Sequence, residues 1–126
     1  MTEGAKTILL IEDEANIAEA LRFLLSREGW TVETHADGAT ASARIRALRP
    51  DAVILDVMLP GRSGYEILDE LRADPDLKAL PVLILTARGQ ERERAQAAAR
   101  GASLFMTKPF ANTELLANLR TLMAAG

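Results

Sequence analysis

Four short stretches of the chain carry groups able to do chemistry together: Glu12-Asp13-Glu14, Asp56, Thr86 and Lys108-Pro109. Each follows an apolar run. Carboxylates brought close together repel, and only a proton or a cation relieves them. Hard oxygen ligands suit Mg²⁺ (or Mn²⁺), and Mg²⁺ binds through one or two carboxylates while keeping waters for a phosphate. A lysine offers a point charge for a phosphoryl oxygen, and a threonine offers a hydroxyl donor. A carboxylate held beside such a cation acts as a nucleophile on phosphorus and forms an aspartyl phosphate. The chemistry open to these residue types is phosphoryl acceptance on an aspartate.

Taken singly, each residue has a plainer role. Asp13 would cap the first helix. Asp56 would sit in a turn before Pro60-Gly61, and Thr86 would cap the fourth helix. Lys108 would be solvated, Phe105 would be a core aromatic and Met58 a gap-filler. Their joint placement decides against these roles, and that placement depends on the elements that carry them.

Short apolar runs alternate with helical patterns along the whole chain. Thr7 to Ile11 reads as a buried strand, and Ile17, Leu21, Leu24 and Leu25 then mark one face of a helix that stops at Gly29. Trp30 to His35 is a second strand with Val32 inward. Asp37 caps a helix carrying Ala41, Ile45 and Leu48, ended by Pro50. Ala52 to Leu55 is the third strand, Tyr65 to Arg72 a helix, and Val82 to Leu85 the fourth strand. Gln90 to Arg100 is helical up to Gly101, and Leu104 to Thr107 is the fifth strand. Asn112 or Thr113 opens a last helix with Leu115, Leu116, Leu119, Leu122 and Met123 on one face. Five βα units with continuous apolar strands predict an α/β fold, a doubly wound parallel sheet between two helix layers. In such sheets the ligand site lies beyond the carboxyl ends of the strands, where the strand order switches. The four reactive stretches all fall at those ends.

Composition excludes other classes. At 126 residues the chain is one domain, residues 1–126, long enough for a real core. A net charge of −3 lacks the concentrated basic face of a nucleic-acid binder. With no cysteine, thiolate catalysis and Cys-bound metal are out, and the lone His35 makes no histidine metal site. His35 and Trp30 read as edge-strand packing or surface, and Glu91-Arg92-Glu93-Arg94 reads as solvated surface. No apolar run spans a membrane or forms a signal-peptide core, so the expected location is the cytoplasm.

The motifs Ile11-Glu12-Asp13-Glu14, Leu55-Asp56-Val57-Met58-Leu59-Pro60-Gly61 with Ser63-Gly64, Leu85-Thr86-Ala87 and Lys108-Pro109-Phe110 resemble those of the response-regulator receivers of two-component signalling. The resemblance runs from about Lys6 to Met123 and includes the 30-residue step from Asp56 to Thr86 and the 22-residue step from Thr86 to Lys108. It implies a CheY-like, flavodoxin-like fold with strand order 2-1-3-4-5. It implies Asp56 as phosphoacceptor, Asp13 as a direct Mg²⁺ ligand, Glu12 as a ligand through water, and the main-chain carbonyl of Met58 as a further ligand. Lys108 and Thr86 would hold the phosphoryl group, Thr86 and Phe105 would form the switch pair, and the Lys108–Pro109 bond would be cis. The donor would be a sensor histidine kinase or a histidine phosphotransfer protein. The output would be a protein target on the face of helix four, strand five and helix five, with no direct nucleic-acid contact.

Competing functions lack their residues. A phosphohydrolase of the dehalogenase type needs an acid two residues after its nucleophile, where this chain has Met58. A flavodoxin-like carrier needs a hydroxyl-rich loop after strand one, where three acids stand. No glycine-rich nucleotide motif is present. The standing alternative is a receiver piece of a larger regulator with a DNA-binding or enzymatic output domain. Receivers of winged-helix regulators usually place two aspartates just before the strand-five aromatic, answered by a helix-five arginine. Here Ser103, Leu104 and Asn118 occupy those places, which predicts a monomer. Met58 and Arg88, two residues after Asp56 and Thr86, are expected to flank the hydrolytic water without orienting it, so the acyl phosphate would persist.

Overall fold

The structure is a computed structural model and describes residues 6–87 and 91–125. Five strands, β1 (Thr7–Ile11), β2 (Thr31–His35), β3 (Ala52–Asp56), β4 (Val82–Thr86) and β5 (Leu104–Thr107), pair in parallel in the order β2-β1-β3-β4-β5. The helices are α1 (Ala15–Ser26), α2 (Gly38–Leu48), α3 (Gly64–Ala73), α4 (Glu91–Ala99) and α5 (Asn112–Ala125).

Strand alternation divides the core into two layers. Leu9, Ile11, Val53, Leu55, Val82 and Ile84 meet Ile45 of α2, Ile67, Leu68 and Leu71 of α3, and Ala97 of α4. Ile8, Leu10, Ile54, Leu83, Leu85 and Met106 meet Leu21 and Leu25 of α1 and Leu115, Leu119 and Leu122 of α5. Every residue of β3 and β4 is buried, as strands covered on both faces require. The edge strand β2 is only half-buried and starts at Thr31, one residue later than its apolar pattern. Chain order switches between β1 and β3, so the crevice there opens beyond Ile11 and Asp56.

Caps and left-handed residues explain several helix ends. Asp37 caps α2 as expected, accepting a bond from the Ala39 amide at 3.1 Å. α2 ends where Arg49 turns left-handed (φ 52) before Pro50. α3 carries a capping box that the apolar pattern alone did not reveal, with Ser63 and Glu66 each bonding the other's amide. α1 starts behind Glu14, not Asp13, with no side-chain cap, and α4 begins five residues after Thr86. The capping roles that Asp13 and Thr86 would have as isolated residues are therefore not the ones they play. α4 is described from Glu91, and Gln90 lies outside the described residues. Gly101, at φ 99, follows its end as expected. Among the described residues, no helix is long and apolar enough to cross a membrane.

Candidate functional site

Parallel pairing brings the carboxyl ends of β1, β3, β4 and β5 to one edge, and the reactive side chains come with them. Glu12 follows β1 and is 2% exposed; its amide bonds the His35 carbonyl at 3.0 Å. Asp56 ends β3 and is 4% exposed. Carboxylate oxygens of Glu12, Asp13 and Asp56 lie within 4.8 Å of one another, with Asp13 the exposed member.

Lys108 holds this cluster together. Its Nζ donates to Glu12 Oε1 at 2.9 Å and to Asp56 Oδ2 at 3.1 Å. The remaining oxygens are also partnered: Glu12 Oε2 accepts the Glu14 amide, and Asp56 Oδ1 accepts the Met58 amide, both at 3.1 Å. The Lys108 amide bonds the Thr86 carbonyl at 2.8 Å, which fixes the start of the β5–α5 loop. The Lys108–Pro109 bond is cis, as the resemblance implied.

Backbone packing sets the position of Asp56. The Gly64 amide bonds the Val57 carbonyl at 2.9 Å, folding the loop back beneath the strand end. A Cβ on Gly64 would lie 2.3 Å from the Asp56 carbonyl oxygen, so this return requires glycine.

Electrostatics leaves the cluster short of positive charge. Three carboxylates face one ammonium. Burial raises the Glu12 pKa; the hydrogen bonds from Lys108 and the Glu14 amide oppose it, and the Asp56 charge adds to it. For Lys108, burial lowers the pKa, but the bonds to Glu12 and Asp56 and their charges outweigh it, and the net shift is upward. The donor set is all hard oxygen, tightly spaced and negatively charged, which fits a bound metal ion.

Thr86 is fully buried at the end of β4, level with Thr107 of β5. Phe105 is level with Ile84, so Thr86 and Phe105 share a face of the sheet. Phe105 is half-buried against the core layer beneath α3 and α4. The structure thus brings Glu12, Asp13, Asp56 and Lys108 into one cluster, with Thr86 on the neighbouring strand end. The Met58 side chain is 55% exposed while its amide is tied to Asp56. Arg88 lies outside the described residues.

Glu91, Arg92 and Arg94 are exposed, in line with the reading of Glu91 to Arg94 as solvated surface, but Glu93 and Arg94 also have partners. The Arg94 guanidinium sits 4.9 Å over the Phe105 ring, and Glu93 Oε1 accepts the Tyr65 hydroxyl at 2.7 Å. An alternating charge run carries no signal of such partners, because they lie on β5 and α3, distant in sequence.

Comparison with known proteins agrees with this geometry. The family profile described as the response regulator receiver domain matches residues 8–120. The chain belongs to this family. The receiver is 41% identical over 116 residues to the phosphate regulon transcriptional regulatory protein PhoB of Rhizobium meliloti, covering 92% of this chain and 51% of that one. It is 44% identical to the response regulator MprA of Mycobacterium ulcerans, covering 92% and 49%. It superposes on a putative response regulator from Chloroflexus aurantiacus with TM-score 0.90 and 35% identity, covering 95% and 98%. The chemotaxis protein CheY4 of Vibrio cholerae gives TM-score 0.87 and 30% identity, covering 94% and 99%. The receiver spans about half the length of the curated relatives it matches. Its fold is CheY-like, and it is a receiver domain of two-component response regulators.

The raised Glu12 pKa has a stability consequence. Between the unfolded and folded pKa values the native state binds the extra proton, so stability falls as pH rises through that window. Glu12→Gln should therefore gain stability relative to wild type as pH rises from 4.5 toward 7 without divalent cation, with the advantage shrinking toward pH 4.5. Lys108 works in the same sense at another pH: its contribution is complete below 10.5 and is lost only above that, as pH rises through its folded pKa. Urea unfolding of both proteins across pH 4.5 to 8 measures the Glu12 effect.

Proposed function

We propose that this receiver accepts a phosphoryl group on Asp56 from a phosphohistidine of a sensor histidine kinase or a histidine phosphotransfer protein. The observation that carries the reading is the Lys108 ammonium reaching both Glu12 and Asp56 inside a cluster of three carboxylates. Residues 1–126 form one receiver domain on this reading. It acts on no substrate beyond its own phosphoryl transfer and hydrolysis, and it works in the cytoplasm without direct nucleic-acid contact.

Mg²⁺ (or Mn²⁺) would be held by Glu12, Asp13, Asp56 and the main-chain carbonyl of Met58. When bound, it supplies positive charge to the carboxylates and to the phosphoryl oxygens. An Asp56 oxygen forms the bond to phosphorus while the phosphorus–nitrogen bond of the donor breaks. The electron pair returns to the donor imidazole. Lys108 exchanges a carboxylate contact for a phosphoryl oxygen, stabilising charge where it arrives. The Thr86 hydroxyl donates to the same group and draws inward. Phe105, on the same face of the sheet, moves with it and alters the face of α4, β5 and α5, where a downstream protein target docks. This is a population shift driven by a local charge.

Coverage of about half of PhoB and MprA favours a second reading: a receiver piece of a larger regulator with a DNA-binding or enzymatic output domain. The two readings share the Asp56 chemistry and differ in output. The α4, β5 and α5 face bears on the receiver's assembly state. Ser103 is used internally, its hydroxyl accepting the Val82 amide at 3.0 Å, and Leu104 and Asn118 bring no charge. The lack of pairing charges at these three positions supports a monomeric receiver.

Incubation with Mg²⁺ and acetyl phosphate should add one phosphoryl group by intact mass, and Asp56→Asn should abolish the gain. An undiminished gain in Asp56→Asn would move the site elsewhere. Light scattering with and without beryllofluoride should show a monomer in both states; a tight symmetric dimer through the α4, β5 and α5 face would refute that part.

Lifetime depends on the in-line water. The methionine thioether accepts weakly and arginine only donates, so neither Met58 nor Arg88 acts as a base toward it. Loaded wild type should dephosphorylate more slowly than the double variant Met58→Asn with Arg88→Glu, by about tenfold, less than the roughly hundredfold or more that a fully positioned acid–base group contributes. Equal decay would show that these two residues do not set the rate.

A further inference from the structure

α4 has little to hold it by apolar burial. Its sequence from Glu91 to Ala99 is four alternating charges followed by alanines and one glutamine, and only Ala97 is buried. A helix so polar stays in place through specific polar contacts or not at all. Two consecutive residues supply them. Glu93 Oε1 accepts the Tyr65 hydroxyl at 2.7 Å, tying α4 to the first turn of α3, next to the glycine that packs on Asp56. Arg94 lays its guanidinium 4.9 Å over the Phe105 ring and reaches the Phe105 carbonyl at 3.5 Å. The far end is held separately: Arg100, just past the helix, stacks on Tyr65 at 5.0 Å and pairs with Asp69 at 2.7 Å.

We propose that Glu93 and Arg94 are positioning residues that clasp α4 and Phe105 in the resting arrangement and so set how readily the domain switches. The inference rests on the reading of Asp56 as phosphoacceptor and of Phe105 as the moving aromatic. Rotation of the Phe105 ring gives up the guanidinium, and displacement of the start of α4 gives up the Tyr65 bond. Both contacts belong to the resting arrangement, so each lowers the fraction of molecules in the competent state. Apparent reactivity scales with that fraction. Loosening the clasp raises the rate of phosphoryl uptake, whereas damage to the fold lowers it. The clasp thus sets the threshold at the start of α4, at the same edge of the sheet as the carboxylate cluster.

The test uses the whole chain, acetyl phosphate with Mg²⁺ as the probe, and two readouts. Arg94→Gln should raise the initial rate of mass gain by about two- to fivefold, the worth of an exposed cation–π contact, Glu93→Ala by about two- to tenfold, the net worth of a hydrogen bond, and the double variant should exceed either. Arg94→Lys, which keeps a cation over the ring, should lie nearer wild type than Arg94→Gln. Amide exchange across Arg92 to Ala99 should speed up in the loosened variants, with β3 amides unchanged. Single variants no faster than wild type, or unchanged exchange in α4, overturn the clasp. No mass gain in wild type itself overturns the Asp56 reading instead, and the exchange result still decides the clasp.

Discussion

The structure turns on one imbalance: buried carboxylates gathered at the end of a parallel sheet with a single ammonium between them. Burial makes Glu12 costly to ionise, and the neighbouring Asp56 charge compounds the cost. Lys108 relieves part of it by bridging Glu12 and Asp56. The remainder leaves an acidic cluster whose oxygens suit a bound metal ion. A better-neutralised site would be more stable and less reactive, and loss of stability at a reactive centre is a common exchange.

The rest of the fold serves to hold that imbalance in place. β3 is covered on both faces, so Asp56 cannot escape to solvent without opening the core. The return of Gly64 beneath it and the bond from the Met58 amide fix which oxygen faces Lys108. Lys108 in turn is anchored through its amide to the end of β4, so Thr86 and the lysine sit on one scaffold. From there the route outward is short. Thr86 and Phe105 share a sheet face, and Phe105 meets α4 through Arg94. A charge change at Asp56 has only one strand to cross before it reaches a helix held mainly by polar contacts.

The sequence carried most of this, for identifiable reasons. Continuous apolar runs bounded by Gly, Pro and Asp placed β1, β3 and β4 most directly, because strands buried on both faces have no polar alternation to confuse the pattern, whereas the half-buried edge strand β2 starts one residue later than its pattern. The acids, Thr86 and Lys108 could be assembled because they close those strands, so position along the chain translated directly into position in space. Cap detail was less visible: the Ser63–Glu66 box stands in a glycine-rich loop with no apolar period to mark it. The contacts of Glu93 and Arg94 were not visible at all. They join elements far apart in the chain, and a charged helix looks the same in sequence whether its side chains meet water, a tyrosine hydroxyl or an aromatic ring.

If Glu12, Asp13 and Asp56 form a divalent-cation site poised for phosphoryl transfer, a paramagnetic titration shows it directly. Substoichiometric Mn²⁺ added to the ¹⁵N-labelled receiver should selectively broaden the amides of Glu12 to Glu14 and Asp56 to Met58. Amides at the opposite end of the sheet, such as Thr31 and Asp51, should stay sharp, and excess Mg²⁺ should reverse the broadening. Broadening centred elsewhere, or none at the strand ends before general loss of signal, would contradict the account.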